Sequence, residues 1–404
     1  MGCFCSCLNR ATDVPLLFNS DGELSPVAEP LPRTLRSELS WGELVSPRLI
    51  SDQGGSCDVF AAMLDGERVA VKIVRDARDE AAVRDLRSEA LLLTELGQRP
   101  HRHVITLIGE GCSHDGRPFI VLELLAHTLA SVIPKPAVRI IGEPDEPDEV
   151  GLFDWYRVAS TWPMHRALLC GYHLALALRY LHEEEALPGH RVLHRDLKPD
   201  NVGFLADGRQ TLVLLDFGLA KRWEKSSSAD GAAEDDEPRA LTGQTGSTRY
   251  MAPEVALSQP YSSKAEVFSF ATILWQLVSK QRPFRGMNVE QFTRRVARGG
   301  ERPELPAQWP EGLRQLLLEC WDPVPQRRPS FSVVVRRLEM ELLQEPTVSR
   351  MRAAGQAGAQ RSIAARVVRS SQGATSCAPA NRRAPGTTAQ LAEVHVDAPL
   401  AELA

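Results

Sequence analysis

The sequence lacks any hydrophobic run close to the ~20 residues of a membrane-spanning helix, so it predicts no transmembrane segment. A strong excess of one charge is missing as well, and the formal net charge of -5 gives no basis for nucleic-acid binding. Internal repeats are absent. Hydrophobic residues make up 43% of the 404 residues and charged residues 25%, which excludes a collagen-like, coiled-coil or wholly disordered chain.

The eight cysteines form no disulfide framework. Three of them, Cys3, Cys5 and Cys7, crowd into the first seven residues, and the other five are scattered singly. This distribution is typical of a protein in a reducing compartment and predicts a cytoplasmic location.

Composition divides the chain into three parts. Residues 1–40 are rich in proline, serine and acidic residues and predict a disordered leader. Residues 41–345 carry strand and helix patterns and predict the folded domain. Residues 346–404 hold seven arginines against three acidic residues, a net charge of +4, and predict a disordered basic tail.

The folded domain changes character near its first third. Short β-branched or leucine-rich runs predict strands at 44–50, 69–74, 104–108 and 119–125. Apolar residues at helical spacing predict helices over 79–96, 165–182 and 265–279. Prolines and glycines predict a loop at 134–151. The pattern therefore predicts an α+β fold, with a β-rich part over 41–125 and a mainly helical part over 126–345.

Four motifs stand in order along this domain: Val69-Ala70-Val71-Lys72, His194-Arg195-Asp196-Leu197-Lys198-Pro199-Asp200-Asn201, Asp216-Phe217-Gly218 and Met251-Ala252-Pro253-Glu254. Together they resemble the signature set of the eukaryotic protein kinases, over about residues 41–345. The resemblance implies a bilobal protein-kinase-like fold that binds ATP and Mg²⁺. It also implies transfer of the γ-phosphoryl group to protein hydroxyls in a signalling role.

The resemblance assigns the catalytic roles. It makes Asp196 the residue that orients the acceptor hydroxyl and takes its proton, and Lys72 the residue that holds the α- and β-phosphates. Glu89 is the expected partner of Lys72, with Glu80 and Glu95 as alternatives on the same helix. Lys198 is expected at the γ-phosphate, a pattern similar to serine/threonine-specific kinases.

Asn201 and Asp216 resemble the two magnesium ligands, since Mg²⁺ prefers hard oxygen donors and takes few carboxylates beside phosphate oxygens. Ser247 resembles the hydroxyl residue that serine/threonine kinases place beside Lys198. The remaining nucleotide contacts implied by the resemblance are Gly54, Val59, Ala70, Glu123 and Leu125, with Leu122 as the gatekeeper.

The glycine-rich loop departs from the kinase pattern. Asp52 and Cys57 stand where the first and third glycines are expected, and only Gly54 remains. Asp52 adds negative charge near a triphosphate, which predicts weaker nucleotide binding. Glu266 stands where the family has aspartate, and the extra methylene predicts looser support of the catalytic loop.

Two further features concern the large lobe. Glu254 and Arg328 resemble the buried ion pair that anchors the activation segment. The sequence around Arg328, together with Trp41-Gly42-Glu43-Leu44, resembles the tyrosine-kinase-like group of serine/threonine kinases. In the family, Arg195 pairs with a phosphate on the activation segment. That segment covers 39 residues here, 216–254, and we expect its phosphosite at Thr242 or Thr245.

The N-terminus matches M-G-x-x-x-[ST] at Met1 to Ser6, the pattern for N-myristoylation of Gly2. Cys3, Cys5 and Cys7 are then candidate palmitoylation sites, and two acyl chains give stable membrane anchoring. The pattern predicts a peripheral protein on the cytoplasmic face of a membrane. A chance match and a metal-binding cysteine cluster are the alternatives.

Two other functions are compatible with the kinase resemblance. A pseudokinase scaffold is favoured by the altered glycine-rich loop and Glu266, and is opposed by the joint presence of Lys72, Asp196 and Asp216. A kinase that acts on small molecules is opposed by Lys198 and the long activation segment. No pattern in the sequence predicts an oligomeric state.

Overall fold

The computed structural model describes residues 34–52, 55–134, 162–183, 186–207, 211–224, 237–243 and 246–346. The predicted site residues Gly2, Cys3, Cys5, Cys7, Gly54 and Thr245 lie outside these ranges.

The strands are β1 Arg36–Ser40, β2 Val45–Ser51, β3 Cys57–Leu64, β4 Glu67–Val74, β5 Leu107–Cys112, β6 Pro118–Glu123, β7 Leu125–Thr128, β8 His190–Leu193, β9 Val202–Leu205, β10 Leu212–Leu214 and β11 Lys221–Glu224. The helices are α1 Glu80–Leu96, α2 Leu129–Val132, α3 Met164–His182, α4 Pro253–Ala256, α5 Lys264–Ser279, α6 Val289–Phe292, α7 Glu311–Cys320 and α8 Phe331–Gln344.

The first part of the chain forms a six-stranded sheet in the order β1-β5-β6-β4-β3-β2. Successive side chains of a strand point to opposite faces. On β4, Val69, Val71 and Ile73 therefore enter a core on one face of the sheet, whereas Lys72 lies on the other face. The β-rich small lobe and the helical large lobe confirm the predicted bilobal α+β fold.

The predicted leader boundary at residue 40 is wrong. Arg36–Ser40 forms β1, which pairs in parallel with β5, and its Leu39 is buried in the outer core of the sheet. Gly111 on β5 makes this close approach possible, because a Cβ at that position would lie 2.0 Å from the Leu39 carbonyl oxygen. The strand forms because of this pairing, since its own sequence is mostly polar.

Helix α1 brings one acidic residue into the interior. The Asp79 side chain caps the helix by accepting a hydrogen bond from the Ala82 amide at 3.1 Å. Leu86, Glu89 and Leu93 follow at helical spacing on the buried face. Glu89 is only 1% exposed, so the helix delivers its carboxylate to the space between α1 and β4.

Helix α5 is the centre of the large lobe, with twelve buried residues among its sixteen. Helix α3 packs against both α5 and α8, because it has apolar residues on several of its sides. Two small antiparallel sheets, β10-β9-β7 and β11-β8, carry the loops of the site. None of the helices in the described ranges is long and apolar enough to cross a membrane.

Two predicted strand boundaries are wrong. Residues 104–108 are not one strand: β5 begins at Leu107, while Val104 forms a parallel bridge with Leu214. Val104 and Ile105 are buried, so tertiary packing overrides the strand propensity of this run. The predicted strand 119–125 ends at Glu123, and Leu125 begins the separate strand β7. Most of the predicted loop 134–151 lies outside the described residues.

Candidate active site

The inner face of the sheet combines an apolar surface with one ammonium group. Val59 lies opposite Lys72 on the neighbouring strand, and Ala70 lies opposite Leu122. Side chains of directly paired residues share one face, so these four side chains line the same wall of the cleft. An apolar wall that ends in a cation fits a flat aromatic base followed by phosphates.

Lys72 joins two carboxylates. Its Nζ lies 2.7 Å from Glu89 Oε2 and 2.9 Å from Asp216 Oδ1. Burial opposes the charge of Lys72, but Glu89 and Asp216 outweigh it and raise the lysine pKa. Burial likewise acts to raise the pKa of Asp216, yet the charge and hydrogen bond of Lys72 lower it. The geometry therefore keeps an ammonium and a carboxylate ionised at the cleft.

Among the three acidic candidates on α1, the structure selects Glu89 as the partner of Lys72. Glu80 lies 3.9 Å from Arg84 within the same helix, and Glu95 pairs with Arg222 at 2.7 Å. Glu89 also accepts a hydrogen bond from the Phe217 amide at 3.1 Å, which ties α1 to the Asp216-Phe217-Gly218 motif.

The catalytic loop gathers its polar side chains around Asp196. Lys198 Nζ lies 2.6 Å from Asp196 Oδ2, and Asn201 Nδ2 donates to the same oxygen at 3.0 Å. The Ser247 amide and hydroxyl donate to Asp196 Oδ1 at 2.9 and 3.1 Å. The predicted neighbours Asp196, Lys198, Asn201 and Ser247 thus lie together, and the carboxylate is held in one orientation.

Asn201 and Asp216 fit a divalent cation. Asn201 Nδ2 donates to the carbonyl and the carboxylate of Asp196, and its amide oxygen Oδ1 is a hard oxygen donor of the kind that such a cation takes. Asp216 has a positive φ of 65°, a strained conformation for a residue with a side chain. Strained residues concentrate at functional sites, and this one carries a carboxylate kept ionised by Lys72.

Glu266 supports the catalytic loop with both carboxylate oxygens. Its Oε1 accepts the Arg195 amide at 2.6 Å, and its Oε2 lies 2.7 Å from His182 Nε2. Arg195 has a positive φ of 69°, so this hydrogen bond holds a strained backbone. The carboxylate thus reaches both the catalytic loop and His182 on α3, and the looser support expected from the extra methylene stays a prediction.

A glycine lets the activation segment lie directly on the catalytic loop. Gly246 has a φ of +89°, and a Cβ there would lie 2.5 Å from the Arg195 carbonyl oxygen. No other residue type fits this position without displacing one of the two segments. The contact places Ser247, the next residue, against Asp196.

The guanidinium group of Arg195 binds the activation segment. Its Nη2 donates to the Thr242 carbonyl at 3.0 Å and to the Thr242 hydroxyl, while its Nε donates to the Tyr261 hydroxyl at 2.8 Å. Of the two predicted phosphosites, Thr242 is therefore beside Arg195. Thr245 lies outside the described residues.

Glu254 and Arg328 form a buried bidentate ion pair. Arg328 Nη1 lies 2.6 Å from Glu254 Oε1, and Nη2 lies 3.0 Å from Oε2. Arg328 also donates to the Lys264 and Asp322 carbonyls. The pair joins the end of the activation segment to the loop before α8, and the Lys264 carbonyl joins that loop to the start of α5. Loss of either partner would leave a buried charge.

The glycine-poor loop over the cleft is held by one arginine. Arg75 Nη1 donates to the Gly55 carbonyl at 2.6 Å, its Nη2 donates to the Asp52 carbonyl, and its Nε pairs with Asp58 at 2.6 Å. Cys57, the first residue of β3, is buried, and burial raises the pKa of its thiol. The loop therefore departs from the kinase pattern in composition and charge, with Asp52 and Cys57 at two of the glycine positions.

Comparison with known families decides the identity of this arrangement. The family model described as protein tyrosine and serine/threonine kinase matches residues 52–338, more than half of the chain. The protein belongs to this kinase family. The match covers every motif around the cleft, and it confirms the predicted resemblance and the bilobal fold.

Three curated relatives show how the kinase compares with longer proteins. It is 30% identical over 330 residues to "Probable serine/threonine-protein kinase drkC" of Dictyostelium discoideum, covering 81% of this chain and 38% of that protein. It is 30% identical over 311 residues to "Dual specificity protein kinase shkB" of the same organism, covering 76% and 41%. The human "Mitogen-activated protein kinase kinase kinase 11" is 29% identical over 295 residues, covering 71% and 30%. The matched part spans less than half the length of each relative.

Several residues of the kinase site escaped the sequence analysis. Tyr261 contacts Arg195, His182 contacts Glu266, and Arg222 contacts Glu95. Each acts on a partner between 66 and 127 residues away, so no local spacing indicates the contact. Only the three-dimensional arrangement identifies them.

Proposed function

We propose that the protein is an ATP-dependent serine/threonine protein kinase with a signalling role. The observation that carries the proposal is the position of Lys72, whose Nζ contacts both Glu89 at 2.7 Å and Asp216 at 2.9 Å. In protein kinases, the lysine–glutamate pair and the metal-binding aspartate must both be in place for transfer. Here all three groups are assembled.

The residues around Asp196 support the chemistry in detail. Asp196 accepts the proton of the acceptor hydroxyl, and Ser247 and Asn201 hold its carboxylate in place. Lys72 and Lys198 neutralise phosphate charge as the transferred group spreads its negative charge over three oxygens. Asn201 and Asp216 would hold Mg²⁺, which stabilises the charge on the phosphates when bound.

The acceptor class follows from Lys198 and Ser247. Both side chains contact Asp196, which is the arrangement that the serine/threonine pattern implies. The assembled Lys72–Glu89–Asp216 contacts oppose the pseudokinase alternative, since a scaffold needs no such charge arrangement. The large lobe, with its anchored activation segment, opposes a small-molecule acceptor.

Phosphoryl transfer from radiolabelled ATP to a generic protein substrate tests the proposal. We expect labelled serine and threonine with the wild-type protein and Mg²⁺, and at least a hundredfold less label with Asp216→Asn. Asp207→Asn, an exposed aspartate outside the cleft, is the matched control and should keep the wild-type rate. Equal labelling by wild type and Asp216→Asn, or by neither, refutes the catalytic proposal.

Phosphorylation of Thr242 is proposed as the activating modification. Arg195 already donates to the Thr242 hydroxyl and carbonyl, so a phosphate there would gain charge-assisted hydrogen bonds. Mass spectrometry of the active kinase should find phosphate at Thr242, and Thr242→Ala should lower activity. An active kinase with an unmodified segment refutes it.

Membrane attachment through Gly2 is a separate proposal that rests on the sequence alone. Myristoylation of Gly2 with palmitoylation of Cys3, Cys5 or Cys7 would hold the kinase on the cytoplasmic face of a membrane. Replacing Gly2 with Ala should move the protein to the soluble fraction of a cell lysate. Unchanged membrane association excludes the anchor.

A further inference from the structure

We infer that Arg222 is a positioning residue for catalysis, acting through Glu95 to hold helix α1 in the conformation that pairs Glu89 with Lys72. The inference rests on the proposed kinase function and deepens it. Arg222 Nη2 lies 2.7 Å from Glu95 Oε1, and this ion pair joins the activation segment to the last turn of α1.

The position of Glu95 on α1 links its ion pair with Arg222 to the position of Glu89. Glu89 and Glu95 lie six residues apart on one rigid helix, so a movement of one end of α1 moves the other. Glu89 is buried beside Lys72, whereas Glu95 is 35% exposed and reaches toward strand β11. Release of Glu95 therefore frees α1 to rotate and carries the Glu89 carboxylate away from Lys72.

Arg222 is itself firmly placed. It lies on β11, which pairs with β8 in the register Arg222 opposite Val192. The next residue, Trp223, points to the opposite side of the strand and is only 3% exposed. The pairing with β8 and the buried Trp223 side chain fix strand β11 in place. The Arg222 side chain leaves the other face of the strand and contacts Glu95 on α1.

Strand β11 is also joined to the far part of the activation segment. The Arg239 guanidinium lies over the Trp223 ring, with 4.5 Å to the ring centroid, and donates to the Glu224 carbonyl at 2.7 Å. The Arg239 amide and carbonyl bridge to Tyr261, whose hydroxyl accepts from Arg195. A continuous set of contacts therefore leads from Arg195 and its partner Thr242 to β11, and Arg222 is the link from β11 to α1.

A charge swap tests this role. Arg222→Glu and Glu95→Arg each replace attraction with repulsion, so kcat/KM for ATP should fall by roughly threefold to tenfold. The double variant restores the opposite charges and should recover to within about twofold of wild type, as expected for directly coupled partners. Arg337→Glu breaks a comparable ion pair with Glu319, remote from the cleft, and should leave kcat/KM for ATP unchanged.

Amide hydrogen exchange of the nucleotide-free protein supplies a readout that does not depend on activity. Residues 92–96 should exchange faster in each single variant and at the wild-type rate in the double variant. Failure of the swap to restore both exchange and kcat/KM overturns the inference, as does unchanged exchange in Arg222→Glu. If exchange behaves as expected while wild type transfers no phosphate, the contact stands and the proposed kinase function fails, together with the positioning role of Arg222.

Discussion

The loop above the phosphate position, residues 52–59, and the catalytic loop beneath it, residues 194–201, differ in how closely they follow the kinase pattern. The upper loop has lost two expected glycines and is held at its backbone by Arg75. The catalytic loop keeps its motif and is supported by Glu266 and by Ser247. We therefore expect the positioning of the acceptor to follow the kinase pattern and the contacts with the nucleotide to depart from it.

The physical reason lies in the kind of group each loop offers. In the kinase pattern the upper loop binds phosphate through backbone N–H groups, which many sequences supply when the backbone can approach closely. The catalytic loop acts through a single carboxylate, Asp196, whose position has to be correct to a fraction of an ångström. We therefore expect activity to be less sensitive to substitutions in the upper loop than to substitution of Asp196.

The largest effect is expected from the catalytic loop itself. Asp196→Asn removes the group that accepts the hydroxyl proton but keeps the shape of the side chain. The kcat should fall by roughly 10²–10⁴-fold with little change in KM for ATP. Steady-state kinetics measures both values, and a loss confined to KM would show that the comparison between the loops is mistaken.

A smaller effect is expected from the support beneath the loop. Glu266→Asp shortens the side chain, so its carboxylate keeps only one of its contacts with the Arg195 amide and His182. Loss of one hydrogen bond to a charged group predicts a fall in kcat of about tenfold. Glu266→Gln keeps the length and serves as the control. An Asp variant as active as wild type would contradict the two-sided support.

A still smaller gain is expected from the upper loop. Asp52→Gly together with Cys57→Gly restores the glycine pattern and removes an exposed negative charge. The KM for ATP should fall by about twofold to fivefold, the range of a single exposed charge, with kcat unchanged. Asp115→Gly on a distant turn controls for net charge. A rise in kcat instead would place the upper loop in the chemical step.

A last prediction concerns chemical reactivity rather than catalysis, at the thiol of Cys57 within the upper loop. Burial raises the pKa of Cys57, so its reactive thiolate becomes populated only as the pH rises above the usual range of a thiol. Near neutral pH, alkylation by iodoacetamide should be at least about tenfold slower at Cys57 than at the exposed Cys112. Mass spectrometry of the two peptides measures the ratio, and unfolding should abolish it. Rapid labelling of Cys57 would show an open loop.

Much of the site could be predicted from the sequence because many of its residues lie in short contiguous motifs. Asp196, Lys198 and Asn201 occupy one loop, and Glu89 follows Lys72 by seventeen residues, so local order indicates their roles. The selection of Glu89 over Glu80 and Glu95 needed the structure, because all three lie on one helix. Contacts such as His182 with Glu266 depend on helices distant in sequence.

The α+β class of the fold could be predicted from the sequence, but the boundaries of several strands could not. Val104 and Ile105 carry strand propensity but fill the core between the sheet and the large lobe. Strand β1 has no apolar alternation, and it forms only because β5 offers a partner with Gly111 at the point of closest approach. Propensity describes a segment alone, whereas these segments are decided by their neighbours.

Strand β1 has a practical consequence for anyone who produces this protein in pieces. A fragment begun at Trp41, where the motifs suggest the domain starts, would remove Leu39 from the outer core and leave the backbone of β5 unpaired. An open sheet edge is a template for self-association. A fragment begun upstream of Leu35 keeps β5 paired and Leu39 buried, so we expect it to self-associate less than a fragment begun at Trp41.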